Sequence, residues 1–163
     1  MQQPLPTGKF RWVDESEFDA LKASLPTIPA DDPVGYVLEV DLEYPASLHE
    51  GHNDYPVAPE KVRITAEMMS PYCHSFFANK NYRPEEKLVP NLMNKTKYVL
   101  HYRNLQLYMS LGLTLKKIHR ALSFSQSRWL AKYIDLNTRM RQQATSEFEK
   151  DFFKLANNSV YGM

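Results

Sequence analysis

An α+β fold is predicted by three features of this chain. Runs that alternate apolar and polar residues, rich in β-formers, occupy residues 35–44, 97–102 and 113–124. Helical periodicity with recognisable caps is concentrated after residue 126. Length and composition complete the case. The 163 residues, 43% hydrophobic and 24% charged, suffice for one sizeable core in an ordinary soluble globular chain.

Residues 1–34 are rich in proline and acid. Residues 10–13 read as a short strand, and residues 14–21 as a helix whose acidic first turn meets its exposed amides. Pro26, Pro29 and Pro33 then hold a loop. Residues 35–44 form a strand, followed by a proline-punctuated loop through Pro59. A helix is expected over residues 65–79, disturbed at Pro71, which lacks the amide a helix interior needs. A loop covers residues 81–90.

Residues 97–102 read as a strand, 104–111 as a short helix stopped by Gly112, and 113–124 as a strand with Lys117 and His119 on one face. Ser127 is placed to cap a helix running to about Arg141, with Trp129, Leu130, Tyr133 and Met140 on its apolar side. After a short turn, Ser146 and Glu149 form a capping box that starts a last helix, antiparallel to the one before. Neither an internal repeat nor a low-complexity tract is present.

Charge is distributed unevenly. Residues 1–60 hold three basic and twelve acidic side chains, whereas residues 61–163 hold seventeen basic and seven acidic ones, so the net +1 conceals a strong polarity. A basic C-terminal stretch suits a surface facing phosphates, and equally a solvated lysine-rich face. One cysteine, Cys73, excludes a disulfide framework and a cysteine-rich zinc module. Apolar runs fall short of the roughly 20 residues that span a bilayer, and the N-terminus lacks the features of a signal peptide. These features fit an intracellular, virion or nuclear setting alike.

The densest signal is the C-terminal Lys154, Asn158, Ser159, Tyr161, Gly162 at fixed spacing on the end of the last helix. With about 3.6 residues per turn, Lys150, Lys154, Asn157 and Tyr161 fall on one face, and Phe148, Phe152 and Leu155 on the opposite one. The apolar face is expected to pack, leaving lysines free to meet phosphates and the tyrosine ring to approach a base and sugar. Taken alone, the lysines are also explained as surface ion pairs with Glu147 and Asp151, three residues before them.

The pattern resembles motif B of the family B DNA polymerases, best that of their protein-primed branch. The likeness extends more weakly along the chain. Residues 97–162 are similar to the fingers, residues 35–59 to the terminal-protein region or a nearby palm insertion, and residues 1–12 to the stretch after motif A. The resemblance implies partial palm strands with a helical fingers hairpin at the C-terminal end. It divides the chain into a palm and insertion segment, residues 1–96, and a fingers segment, residues 97–163.

By the same resemblance, the parent enzyme is a DNA-directed DNA polymerase. It adds deoxynucleoside triphosphates to primer–template DNA with Mg²⁺, in some relatives from a terminal protein primer, and without a membrane. Lys154 would contact the triphosphate and Lys150 assist. Tyr161 would stack at the nascent pair and discriminate against ribose, while Asn158, Ser159 and Gly162 shape the pocket floor. Arg139 or Arg141 would add a phosphate contact. Met163 departs from relatives that carry lysine there. The metal-binding aspartates of motifs A and C are expected before Met1 and after Met163, so no catalytic or metal residue is assigned within this chain, and the fragment alone is expected to be inactive. The alternatives are a non-catalytic polymerase remnant and a nucleic-acid-binding α+β module.

Glu39, Asp41 and Glu43 share a strand face in a sequence that superficially resembles motif A. The family aspartate position holds Glu39, and a solvated acidic face is the better reading. His49 and His52 have ligand-like spacing without a third ligand, and read as a surface loop. Cys73 is expected in or near the core, as are Tyr72, Phe76 and Phe77.

Overall fold

The computed structural model describes residues 2–77, 85–160 and 162. The fold is α+β, an antiparallel sheet with six helices among the described residues. In chain order the elements are β1 (Leu5–Trp12), α1 (Phe18–Ser24), β2 (Val34–Glu43), α2 (His49–His52), β3 (Glu60–Arg63) and α3 (Pro71–Phe77). They continue with β4 (Glu86–Val89), β5 (Lys95–His101), α4 (Tyr102–Ser110), β6 (Thr114–Ser127), α5 (Ala131–Gln143) and α6 (Glu147–Ser159). Hydrogen bonding orders four strands β1-β6-β2-β5, and β3 pairs with β4 separately. The chain divides into two compact units, Met1–Val37 with Arg120–Met163, and Leu38–His119.

In the first unit, β1 runs antiparallel to β6, with Leu5 opposite Ser127 and Trp12 opposite Leu122. The acidic entry to α1 forms as expected, through a 3-10 turn. Asp14 accepts from the Ser16 amide at 3.0 Å, and Glu17 returns to the Asp14 amide at 3.3 Å. Leu21, Leu25, Ala121, Phe124, Leu130 and Ile134 are buried. Gly35 is required by close approach, since a Cβ there would lie 2.5 Å from Phe124 Cε2. The buried polar groups find partners: Gln126 Nε2 donates to Asp32 O at 2.8 Å, and Ser123 Oγ to Arg11 O at 3.1 Å.

In the second unit, β2 alternates as predicted, with Leu38, Val40 and Leu42 buried. The segment expected as a loop through Pro59 contains a 3-10 turn, Ala46–Leu48, and α2. Its histidines clasp the buried Tyr44. The tyrosine hydroxyl lies 2.7 Å from His52 Nδ1, and both imidazoles meet its ring edge-on. The His-x-x-His spacing is thereby explained by packing around one tyrosine on a helix.

Three further expectations are corrected here. Pro71 begins α3 rather than disturbing a longer helix, because a first-turn position needs no amide donor. A 3-10 turn, Ala66–Met68, precedes it, and positions 78 and 79 lie outside the described residues. Cys73, Tyr72 and Phe76 are exposed, the two rings meeting edge to face at 4.8 Å on successive helix turns. The Phe77 side chain lies outside the described residues. Finally, residues 86–89 of the expected loop form β4, while 81–84 are among those not described.

Lys95 anchors the base of the β3–β4 pair. Its side chain is fully buried, and Nζ donates to Glu60 Oε1 at 2.8 Å and to Asn91 Oδ1. Desolvation pushes the Glu60 carboxyl up, but hydrogen bonds from Lys95 and Asn91, with the lysine charge, outweigh it and hold it below its ordinary value. Beside it, the Tyr98 hydroxyl donates to Pro59 O at 2.8 Å. Burial, with Tyr108, pushes that phenol up to about 12, so it remains a donor.

Candidate functional site

The C-terminal motif lies on the hairpin of α5 and α6. Ser127 ends β6 instead of capping α5, which begins four residues later after Leu130 and has no side-chain cap. The strand's pairing with β1 continues to Ser127, so the ladder takes the residue the cap would need. The buried stripe of α5 is Leu130, Ile134 and Asn137; Trp129, Tyr133 and Met140, expected on that side, are 57%, 41% and 41% exposed.

The start of α6 is as predicted. Ser146 Oγ accepts from the Glu149 amide at 3.2 Å, and Glu149 accepts from the Ser146 amide at 3.4 Å. Two hydrogen bonds fix the helices as an antiparallel pair. Tyr133 Oη donates to Ala156 O at 3.2 Å, and Asn137 Nδ2 donates to Asn157 Oδ1 at 3.0 Å. Asn137 is buried, and nothing in the periodicity marked it, since an asparagine at a stripe position scores as polar.

The amide pair sets the rotation of α6, and the expected faces are corrected accordingly. Phe153, Ala156 and Asn157 are half-buried, whereas Phe148, Phe152 and Leu155 are 80%, 55% and 55% exposed. Asn157 therefore packs against α5 rather than joining the lysines. Phe148, Asp151, Phe152, Lys154, Leu155 and Asn158 line an open groove of about 390 Å³. Lys154 and Asn158 thus stand beside two exposed aromatic rings.

The two lysines have different surroundings. Lys150 is half-buried and pairs with Glu147 Oε1 at 2.6 Å. That hydrogen bond and charge hold the Glu147 carboxyl below its ordinary range, with a smaller contribution from Arg141. Lys154 is exposed and has no hydrogen-bond or ion-pair partner among the described residues. Arg139 and Arg141 are exposed near the end of α5. Ser159 Oγ donates to Ala156 O at 3.0 Å, so its hydroxyl is engaged by the helix. Gly162 has φ +69, the left-handed region where an L side chain is strained, and its amide donates to Ser159 O at 3.3 Å. Tyr161 and Met163 lie outside the described residues.

The acidic strand does not fit a magnesium ion. Asp41 Oδ1 accepts from the Lys97 amide at 2.8 Å and lies 2.8 Å from His119 Nε2, though that imidazole contact has poor hydrogen-bond geometry. The Lys97 amide, then His119, holds the Asp41 carboxyl below its ordinary value. Glu43 Oε2 lies 3.1 Å from Lys116 Nζ. With Glu39 these carboxylates are partly exposed, and two of them are engaged by neighbouring groups, Asp41 by the Lys97 amide and Glu43 by Lys116. Among the described residues, no three His, Cys, Asp or Glu side chains converge as a metal site. Among the same residues, no helix is long and apolar enough to cross a membrane.

Comparison with known proteins adds no family: no protein-family model, curated protein or solved structure matches the chain.

Proposed function

We propose that the chain is a fragment of a family B DNA polymerase of the protein-primed type, in which α5 and α6 are the fingers and the exposed face of α6 takes the incoming deoxynucleoside triphosphate. The observation that carries this reading is the setting of Lys154. It is an exposed cation at the motif position, beside an aromatic groove that includes Asn158, about two turns before a left-handed glycine. Such a face can meet a triphosphate by charge-assisted hydrogen bonding and a base by ring contact.

Lys154 is the primary phosphate contact. Lys150, held by Glu147, is in reserve and must exchange that partner to assist. Arg139 and Arg141 supply further positive charge at the turn, while Asn158, Ser159 and Gly162 shape the floor and Tyr161 closes on the sugar. Primer–template DNA, and in some relatives a terminal protein, are the parent enzyme's partners under this reading. Magnesium would supply electrostatic stabilisation of phosphoryl transfer. Among the described residues, no three His, Cys, Asp or Glu side chains converge to hold it.

Titrating the isotope-labelled chain with dATP and following amide resonances tests the assignment. The expected shifts centre on Lys154, Asn158 and the turn at Arg141. Shifts confined to residues 38–119, or none at millimolar nucleotide, would overturn it.

A further inference from the structure

Helix α5 carries a second line of large side chains beside its buried stripe. Tyr133, Leu136 and Met140, with Trp129 in the turn that leads into the helix, are 41–57% exposed. Their spacing of four, three and four residues is that of a seam between packed helices, and it sets the four side chains in one row. Single exposed apolar residues are ordinary, but a row of Trp, Tyr, Leu and Met has the composition of a contact surface.

The border of this row is basic. Residues 128–143 hold four basic side chains and one acidic. At about 100° per residue, Lys132 and Arg139 fall beside the row on the side away from the buried stripe, and Arg128 precedes Trp129. All three are exposed, and none pairs with a carboxylate among the described residues. The one acid, Asp135, accepts from Gln2 Nε2. Glu149 of α6 lines a groove with Met140, but its carboxylate accepts from the Ser146 amide at 3.4 Å.

We propose that this row is a docking surface for an amphipathic helix of another protein, one whose apolar stripe is flanked by glutamate or aspartate. The partner's apolar side chains sit between Trp129, Tyr133, Leu136 and Met140, and its carboxylates meet Arg128, Lys132 and Arg139. An isologous pair of copies would set those cations against one another, which disfavours a second copy of this chain. The row is also one side chain wide, a seam for a helix rather than the broad apolar face that lies in a lipid surface. None of its four residues lines the groove assigned to nucleotide, and the inference does not rest on the polymerase reading.

The probe is a synthetic peptide of about three heptads with leucine at a and d and glutamate at e and g, compared with the same peptide carrying lysine at e and g. Binding to the 163-residue chain is read by the anisotropy of a label on the peptide, with circular dichroism as the check on folding. The glutamate peptide should bind, and the lysine peptide should bind at least about tenfold more weakly. Trp129→Ala and Leu136→Ala should each weaken the glutamate peptide by at least about fivefold. Arg128→Glu combined with Lys132→Glu should reverse the preference between the peptides, which an unspecific apolar surface would not do. In a Trp12→Phe background, the glutamate peptide should shift Trp129 emission to the blue. Trp129→Ala should leave the dATP shifts unchanged, so each reading can fail alone. Equal affinity for the two peptides, wild-type affinity in the folded alanine variants, or no binding at about millimolar peptide would overturn the proposal. Binding to anionic vesicles without binding to the glutamate peptide would assign the row to a lipid surface instead. Self-association of the chain that Trp129→Ala abolishes would assign it to a second copy.

Discussion

His101 joins a strand to a helix and depends on its protonation state to do so. It ends β5 and is the N-cap of α4, where its Nδ1 accepts from the Arg103 amide at 3.3 Å. Only the neutral ring can accept there. Burial, then the charge of Arg103, pushes the imidazole below its ordinary 6.5, which favours the neutral form. A depressed folded value means that the unfolded chain takes up a proton first. The stability from this cap is therefore complete above about pH 6.5 and is lost as the pH falls through the lower folded value. His101→Asn keeps a capping side chain without the titration. Urea unfolding at about pH 7.5 and pH 5.5 should show the wild type losing up to about 1 kcal/mol more than the variant on acidification. Equal losses would assign the pH dependence to other groups.

The elements show what could and could not be read from sequence. β2 was legible because Leu38, Val40 and Leu42 alternate with charged residues, and α6 because Ser146 and Glu149 form a two-residue signature. β3 and β4 were not: four residues each, mostly charged, their pairing of Glu60 with Val89 and Arg63 with Glu86 depends on partners distant in sequence. The helix faces failed for a related reason. Apolarity assigned Phe148, Phe152 and Leu155 to the interior, but the contact between Asn137 and Asn157 turned α6 the other way. Polar pairs across a helix interface leave no periodic trace. Ser146→Ala tests how far the hairpin depends on its capping box. It should cost about 1 kcal/mol and raise amide exchange first in the opening turn of α6. Unchanged exchange there would mean that packing against α5 alone holds that turn.

Across the whole chain, the mixed α+β class was legible, since it follows from local periodicity. The different surroundings of Lys150 and Lys154 were not, because both have an acid three residues earlier. The charge polarity, acidic up to residue 60 and basic beyond it, was legible as a count, but the contact of Arg120 with the Trp12 ring was not. Trp12 and Arg120 are far apart in sequence and meet only through the β1–β6 register. On the proposed reading, the exposed Lys154 of α6 is the phosphate contact. Its most direct test is the dATP affinity of the chain compared with Lys154→Ala and Lys150→Ala. Losing a charge-assisted phosphate contact is worth about 1.5–3 kcal/mol. Lys154→Ala should therefore weaken binding by roughly tenfold or more, and Lys150→Ala, already held by Glu147, by less than about threefold. Unchanged affinity in Lys154→Ala would contradict the account and leave that lysine as part of a solvated surface.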